Sequence, residues 1–291
     1  MPADMVPTTP EEWNEIWKAA QRVCRTSGRS RECWEAWDDI ESARQYWENA
    51  SARDARNGRT AELLDTTREG WQVLDIGAGP GNIALPLAEK AAWVTAVEPA
   101  RGMAEVLRSN MEKGNIGNIG IVPKRWDDVD CGRDLREGYD LVVASYSFGM
   151  LDLLDSLRKI LSVARQEVVF YWHAGPQAWD VDAAELWPLL HNRRFSPIPK
   201  SNVIFNILYA MGIYPDIRSI HGSYRMAFDD MEEAVIQYGR RFDVNREDRE
   251  KMKLLTEYLE EHLVPGDGRL YQRAQNTGMR ISFNVKDFKL N

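Results

Sequence analysis

The chain has 291 residues, 44% hydrophobic and 28% charged, which is typical of a soluble globular protein with an ample core. Its formal net charge of −8 argues against a nucleic-acid backbone as partner, because phosphate binding depends on Lys and Arg. No apolar run approaches the roughly 18 residues of a membrane-spanning helix, and the first residues lack a secretory signal pattern. Cys24, Cys33 and Cys131 cannot all pair and lack metal-ligand spacing. We therefore expect a cytoplasmic protein without a metal site or membrane contact.

The N-terminal section, residues 1–67, carries no strand signal and predicts a cap of two or three helices before a main domain over 68–291. Five of the eleven tryptophans lie in this section. They favour helices packed onto a sheet, and the alternative is that some of them line an apolar substrate pocket. Tyr46 and Trp47, just before the main domain, are the candidates for that pocket. The same helices would also allow a homodimer.

Strand and helix patterns then alternate between residues 71 and 175. Strands are predicted at 72–76, 93–97, 119–123, 139–145 and 167–172, and helices at about 81–91, 101–113 and 151–162. Such alternation predicts an α/β fold with a parallel sheet and right-handed crossovers.

The pattern loosens beyond residue 175. Helices are predicted near 183–190 and 201–211, and a strand near 217–226. A charged helical insertion follows at about 230–265, and residues 279–285 alternate like a last, antiparallel strand. Since insertions of this kind commonly build a substrate pocket, this segment bears most on the choice of substrate.

A glycine-rich turn links the first predicted strand to its helix, in the stretch Val-Leu-Asp-Ile-Gly-Ala-Gly-Pro-Gly over residues 73–81. Its glycines allow a tight turn and close approach to a ligand. The second strand ends in Glu98, where a carboxylate would accept hydrogen bonds from ribose hydroxyls. Nicotinamide and flavin sites usually read G-x-G-x-x-G. Here the spacing is G-x-G-x-G, formed by Gly77, Gly79 and Gly81, and Asp75 stands two positions before it.

This motif, together with Glu98, resembles the first two motifs of the class I S-adenosylmethionine-dependent methyltransferases, and the resemblance covers about residues 56–175. It implies a Rossmann-like three-layer sandwich whose seven-stranded sheet is mostly parallel with an antiparallel last strand. The implied cofactor is S-adenosylmethionine, with S-adenosylhomocysteine as product. By the same resemblance the glycine turn approaches the methionyl part, Asp75 orients its amino group directly or through water, and Glu98 holds the ribose.

The resemblance extends to the ends of the third and fourth strands. Asp127 is expected to accept from the adenine amino group, with Trp126 packed against the ring or, alternatively, anchored in the core. Ser145 stands with the cofactor residues at the start of the loop that faces the transferred methyl. This loop lacks the Asn/Asp-Pro-Pro-Tyr of adenine-N6 or glutamine methyltransferases, and it lacks the Cys that a cytosine-C5 mechanism needs.

Catalytic candidates follow from position and chemistry. Tyr146 and Ser147 are placed to orient a substrate hydroxyl or amine, and the alternative is that they end the strand and satisfy backbone groups. His173 ends the fifth strand and is the first candidate for a base, since histidine titrates near neutral pH. His191 and His221 are candidates for the substrate pocket. For each histidine a structural role is the alternative.

The predicted function is methyl transfer from S-adenosylmethionine to a small-molecule acceptor, at O, N, S or C, by in-line displacement. A protein or RNA methyltransferase is the first alternative. A nucleotide-cofactor oxidoreductase and a cofactor-binding protein without catalysis are the others. Aromatic residues flanking the core are consistent with an apolar or aromatic substrate, although core packing explains them equally well.

Overall fold

The computed structural model describes residues 7–27 and 33–288. The first six residues, to which the prediction on a secretory signal refers, lie outside this part of the chain. The helices are α1 (Pro10–Ser27), α2 (Ile40–Asn57), α3 (Arg59–Thr66), α4 (Ala84–Ala88), α5 (Arg101–Lys113), α6 (Leu153–Val163), α7 (Ala178–His191), α8 (Ser201–Ala210), α9 (Met231–Arg241) and α10 (Arg249–His262). The strands are β1 (Gln72–Ile76), β2 (Trp93–Val97), β3 (Ile119–Val122), β4 (Tyr139–Ser145), β5 (Ala164–His173), β6 (Asp216–Phe228), β7 (Val264–Gly266) and β8 (Arg269–Asn284). Among the described residues, none of the helices combines the length and apolar character that crossing a bilayer needs.

The strands form one sheet in the order β3-β2-β1-β4-β5-β8-β6, and the three-residue β7 pairs with β8. Strands β1 to β5 run parallel, whereas β8 is antiparallel to both β5 and β6. The predicted mostly parallel sheet with an antiparallel last strand is therefore confirmed. Because chain order reverses between β1 and β4, their carboxyl ends flank the crevice where open α/β sheets bind ligands.

Helices cover both faces of the sheet. Side chains alternate across β1, so that Leu74 faces the core beneath α1, α6 and α8, whereas Val73 faces the core beneath α3, α4 and α5. Both residues are fully buried. Burial on both faces explains the nearly continuous apolar runs of the central strands.

A third core lies beyond the sheet's edge. The pairing of β5 with β8 ends at His173 and Gly278, but β6 and β8 continue together as far as Phe228 and Leu270. Helices α7, α9 and α10 pack on this extension around Leu186, Trp187 and other apolar residues. We call α7, α9, α10, β7 and the β6–β8 extension the outer unit.

The predicted insertion at about 230–265 corresponds to α9, α10 and β7. Each of its two helices begins at an aspartate N-cap. The Asp230 side chain accepts from the Glu233 N–H at the start of α9, and the Asp248 side chain accepts from the Lys251 N–H at the start of α10. The last strand begins at Arg269, ten residues before its predicted start. Its first half is polar and forms by pairing with β6, so apolar alternation alone does not indicate it.

Helix α1 is anchored to the sheet by Trp17, which is fully buried and donates from Nε1 to the Met150 carbonyl at 2.9 Å. Trp17→Ala should lower the free energy of unfolding by about 3–5 kcal/mol, as for other buried aromatic truncations. Trp13→Ala is the matched control on the same helix, since Trp13 is only partly buried. Chemical denaturation of the two variants measures the difference, and equal losses would contradict this role.

Candidate functional site

The glycine turn is hydrogen-bonded to the end of the neighbouring strand β2. The N–H groups of Gly77 and Ala78 both donate to the Val97 carbonyl, at 2.8 and 3.1 Å. Ser147, in the loop after β4, donates from Oγ to the Ile76 carbonyl at 2.6 Å. A Cβ at Gly77 would lie 2.3 Å from Ser147 Cβ, and its φ is +73°. Position 77 therefore requires glycine for the turn and the loop to meet.

Glu98 closes the other side of the turn. The buried carboxylate accepts from the Gly79 N–H at 2.8 Å through Oε2 and from the Ala100 N–H at 2.8 Å through Oε1. Burial raises the pKa of Glu98, and these two N–H groups oppose that rise. Carboxylate oxygens carry further lone pairs, so Glu98 can still accept from hydroxyls. A Cβ on Gly79 would meet nothing within 4 Å, so the space beside the turn is open.

Asp75 lies beneath the same turn and is 1% exposed. Its carboxylate accepts from the Ala84 N–H at the start of α4, while Oδ2 has no hydrogen-bond partner among the described residues. Burial and the neighbouring Glu98 raise the pKa of Asp75 to about 7, and the charge of Arg59 opposes this rise. A buried acceptor without a partner is costly. The arrangement is suited to a ligand that brings a donor or a positive charge.

Arg59, which no sequence motif indicated, reaches the site from the first turn of α3. Its Nη1 donates to Ser145 Oγ at 3.0 Å, and the guanidinium lies 5.5 Å from the Tyr146 ring centroid and 5.8 Å from that of Tyr171. The only local signal for it is an arginine at the start of the last helix before β1. Arg59 and Ser145 are 86 residues apart in sequence, so the spacing of residues in a local motif could not predict their contact.

Tyr146 and His173, the two catalytic candidates, lie side by side with ring centroids 4.8 Å apart. Tyr146 has a φ of +55°, a left-handed conformation that is strained for an aromatic residue and concentrates at functional sites. Its N–H donates to the Tyr171 carbonyl at 2.9 Å, and its hydroxyl packs directly against Gly278. Burial raises the pKa of Tyr146 despite the opposing charge of Arg59, so the phenol stays protonated at neutral pH.

The turn after β3 is held by a lysine from α6. Lys159 Nζ donates to the carbonyls of Trp126, Asp127 and Val129 at 2.8, 3.1 and 3.0 Å. Trp126 is buried in the core and donates to the Ser156 carbonyl at 3.4 Å, the environment expected from the core-anchor alternative. Asp127 is exposed and pairs with Arg125 at 3.0 Å.

The four substrate-pocket candidates are spread over the molecule. Tyr46 is half exposed and contacts the Trp37 ring at 5.0 Å, while Trp47 packs against the cores beside α5. His191 lies inside the outer unit, with Nε2 2.7 Å from the Phe242 carbonyl and its ring on Trp187 at 4.2 Å. These contacts correspond to its structural alternative. His221 is exposed on β6, 3.5 Å from Thr277 Oγ1.

Comparison with known proteins gives a match to the central part of the chain. Residues 73–167, which run from β1 into β5, match the family model of the methyltransferase domain. This part of the chain is thus similar to a methyltransferase domain. This agrees with the motif-based resemblance and with the strand order described above.

Two curated proteins match parts of this domain. An uncharacterized protein from Haemophilus influenzae is 34% identical over 96 residues, 33% of this chain and 35% of that protein. A protein from Methanocaldococcus jannaschii, assigned as a cobalt-precorrin-6B C(15)-methyltransferase (decarboxylating), is 35% identical over 57 residues, 20% of this chain and 31% of that protein. The chain thus spans about a third of the length of the curated relatives that it matches.

Among solved structures, a candidate methyltransferase from Bacillus halodurans C-125 is similar, with a TM-score of 0.50 and 16% identity. The match covers 78% of this chain and 99% of that one. At this identity the likeness concerns the fold of the methyltransferase domain alone.

The raised pKa of Asp75 predicts how the stability of the methyltransferase domain depends on pH. The folded value of about 7 lies above the ordinary value of 3.8. The folded state therefore binds more protons between these pH values, and its stability falls as pH rises from about 4 to about 7, by about 1.4 kcal/mol for each unit of pKa difference. Asp75→Asn should therefore gain stability relative to wild type as pH rises over this range.

Urea denaturation at several pH values tests this expectation, with the exposed Asp128→Asn as control. Parallel plots of unfolding free energy against pH for Asp75→Asn and wild type would contradict it.

Lys159→Met should loosen the turn that carries Asp127. Three carbonyls lose a charged donor, so we expect a stability loss of about 1–3 kcal/mol and weaker binding of S-adenosylhomocysteine. Arg158→Met is the control, because Arg158 forms an exposed pair with Glu11 that contributes little. Denaturation and calorimetry measure the two effects. Unchanged affinity in Lys159→Met would mean that this turn does not contact the cofactor.

Proposed function

We propose that this protein transfers a methyl group from S-adenosylmethionine to a small-molecule acceptor. The observation that carries the proposal is the pair of buried carboxylates beside the glycine turn. Asp75 has one oxygen without a partner, and Glu98 is held by two backbone N–H groups that leave it able to accept more. One site thus offers acceptors both for an amino group and for ribose hydroxyls.

The same geometry argues against a dinucleotide cofactor. A pyrophosphate binds at the N–H groups of the helix that follows a glycine turn. In this chain the Ala84 N–H, at the start of that helix, already donates to the Asp75 carboxylate. A pyrophosphate placed there would meet a buried acid, whereas a cationic amino group would be attracted by it. The charge of the site therefore favours a sulfonium amino acid over NAD.

The remaining contacts suit such a cofactor. Asp75 and the backbone of the glycine turn would hold its methionyl part, Glu98 its ribose, and Asp127 its adenine amino group. Arg59 lies close enough to Asp75 to oppose the rise in its pKa, and so helps to keep the carboxylate ionised. When bound, S-adenosylmethionine supplies a methyl group already activated on a sulfonium, so the protein's main contribution is alignment.

Tyr146 and His173 would act on the acceptor. The protonated Tyr146 phenol can donate a hydrogen bond that orients an acceptor oxygen or nitrogen. His173 can receive the proton that an attacking hydroxyl or amine loses. The outer unit continues the sheet past the end of β5 and touches His173 through Trp179, which supports an enclosed site that excludes water. An enclosed site favours a small acceptor over RNA or protein.

Calorimetric titration with S-adenosylmethionine, S-adenosylhomocysteine and NAD tests the proposal. We expect the two sulfur compounds to bind and NAD not to bind. Glu98→Ala should weaken binding of both by about 1.5–3 kcal/mol, or roughly 10- to 150-fold, because hydrogen bonds to a charged group are lost. The exposed Glu112→Ala is the control.

Glu98→Gln separates binding from the integrity of the turn. Its amide oxygen can still accept from one backbone N–H, so it should unfold closer to wild type than Glu98→Ala while still binding the cofactor more weakly. Tight NAD binding to the wild type would overturn the cofactor proposal. Full affinity in Glu98→Ala would remove Glu98 from the ribose site.

A further inference from the structure

A cavity lies between the outer unit and helix α1, beside the site described above. Its walls are largely aromatic and come from three segments of the chain: Trp179 and Trp187 on α7, Phe195 in the segment after α7, and Phe242 at the end of α9. Cys24 on α1 closes the remaining side. Aromatic walls with few polar groups are typical of pockets for small organic ligands.

Two contacts join this cavity to the catalytic candidates. The Trp179 ring meets the His173 ring edge-on at 5.7 Å, and His173 lies 4.8 Å from Tyr146. On the opposite side, the end of α1 that carries Cys24 is bound to the loop after β4. There, Gln21 donates to the Phe148 carbonyl at 3.2 Å, and Arg25 donates to the Gly149 carbonyl at 3.0 Å. The cavity is therefore one side chain away from the residues that would face the transferred methyl.

The cavity wall carries a cation, Arg241. The Arg241 guanidinium lies 5.5 Å from the Trp179 ring centroid, and Nη1 makes a weak contact with Met226 Sδ at 3.9 Å. Asp180, the one acid among the described residues that line the wall, is already paired with Lys200 and accepts from the Gln177 N–H. Within the described part of the chain, Arg241 forms no ion pair with a carboxylate.

Trp187 adds a donor that is not satisfied. Its side chain is almost fully buried, and Nε1 has no hydrogen-bond partner among the described residues. A buried donor without an acceptor costs about 1–3 kcal/mol. Nε1 itself has no accessible surface, so a ligand would reach this donor only if the side chain moved. The wall thus offers aromatic surfaces and one cation.

We propose that this cavity is the acceptor pocket and that it selects a small aromatic carboxylic acid, whose ring lies among the tryptophans and phenylalanines and whose carboxylate pairs with Arg241. The inference rests on the proposed function, because it supplies the acceptor for that methyl transfer. A cationic amine also favours aromatic walls, but Arg241 would repel it, and the Asp180 carboxylate is already paired with Lys200.

The cavity has a volume of about 40 Å³, less than the roughly 150 Å³ known to bind benzene. A ring therefore enters only if part of the wall moves. Arg241 is exposed and is held against Trp179 mainly by a cation–π contact, which contributes little at an exposed site. Outward movement of Arg241 would widen the cavity and present its guanidinium to an entering carboxylate.

Equilibrium binding, followed by tryptophan fluorescence and calorimetry with S-adenosylhomocysteine present, tests the proposal. The probes are benzoate, 4-hydroxybenzoate and indole-3-carboxylate, compared with benzamide and benzylamine. We expect at least one acid to bind, and to bind at least tenfold more tightly than benzamide and benzylamine. Arg241→Gln should weaken that acid about tenfold and leave benzamide unchanged, whereas Arg241→Lys should retain part of the preference. Arg240→Gln, at an exposed neighbour that does not line the cavity, is the matched control.

The outcomes separate this inference from the proposed function. Binding of S-adenosylhomocysteine without binding of any of the three acids would overturn the pocket and leave the cofactor proposal standing. Equal affinity for the acids and benzamide, tighter binding of benzylamine, or equal effects of Arg241→Gln and Arg240→Gln would also overturn it. Failure of S-adenosylhomocysteine itself to bind would instead contradict the proposed function.

Discussion

Asp75 and Glu98 bring two buried carboxylates to the ends of neighbouring strands, and the turn between them is shaped by how each one is satisfied. Glu98 accepts from two backbone N–H groups, which holds Gly79 and Ala100 in place. Asp75 accepts from the Ala84 N–H and keeps one oxygen without a partner. Two like charges buried close together are unfavourable. That cost is the physical reason to expect a cationic ligand at this turn. Burial is the larger cause that raises the pKa of Asp75 to about 7, and the neighbouring charge of Glu98 adds to it.

The loops around these carboxylates depend on close approaches that only small residues allow. Gly77 lets Ser147 reach the end of β1, and Gly278 on β8 makes room for the Tyr146 hydroxyl. Arg59 then connects α3 to Ser145 and to the Tyr146 ring. Contacts from β1, β4 and β8 and from a helix outside the sheet therefore converge on one loop. Such convergence holds Tyr146 in a strained backbone conformation that it would not adopt alone.

The outer unit covers the region beyond the carboxyl end of β5. In a sheet that ended with β5, the carboxyl edge would be open to solvent, but β6 and β8 extend past His173 and carry α7, α9 and α10 on a core of their own. That core includes Asp182, whose carboxylate accepts from the hydroxyls of Tyr238 at 2.8 Å and Tyr258 at 3.1 Å. A buried, satisfied polar network of this kind favours one arrangement of the packed elements over others.

Local pattern alone determined much of this protein. Apolar runs predicted β1, β2 and β4 with the bounds that the structure has, and the glycine spacing with Glu98 indicated the turn and its acid, because both depend on residues close in sequence. Tertiary structure decided the rest. The contact of Arg59 with Ser145, the burial of Trp126 in the core and the early start of β8 at Arg269 each depend on partners far along the chain. Contacts between residues far apart in sequence produce no periodic pattern of apolar residues. Only the folded chain therefore reveals which residues surround the turn.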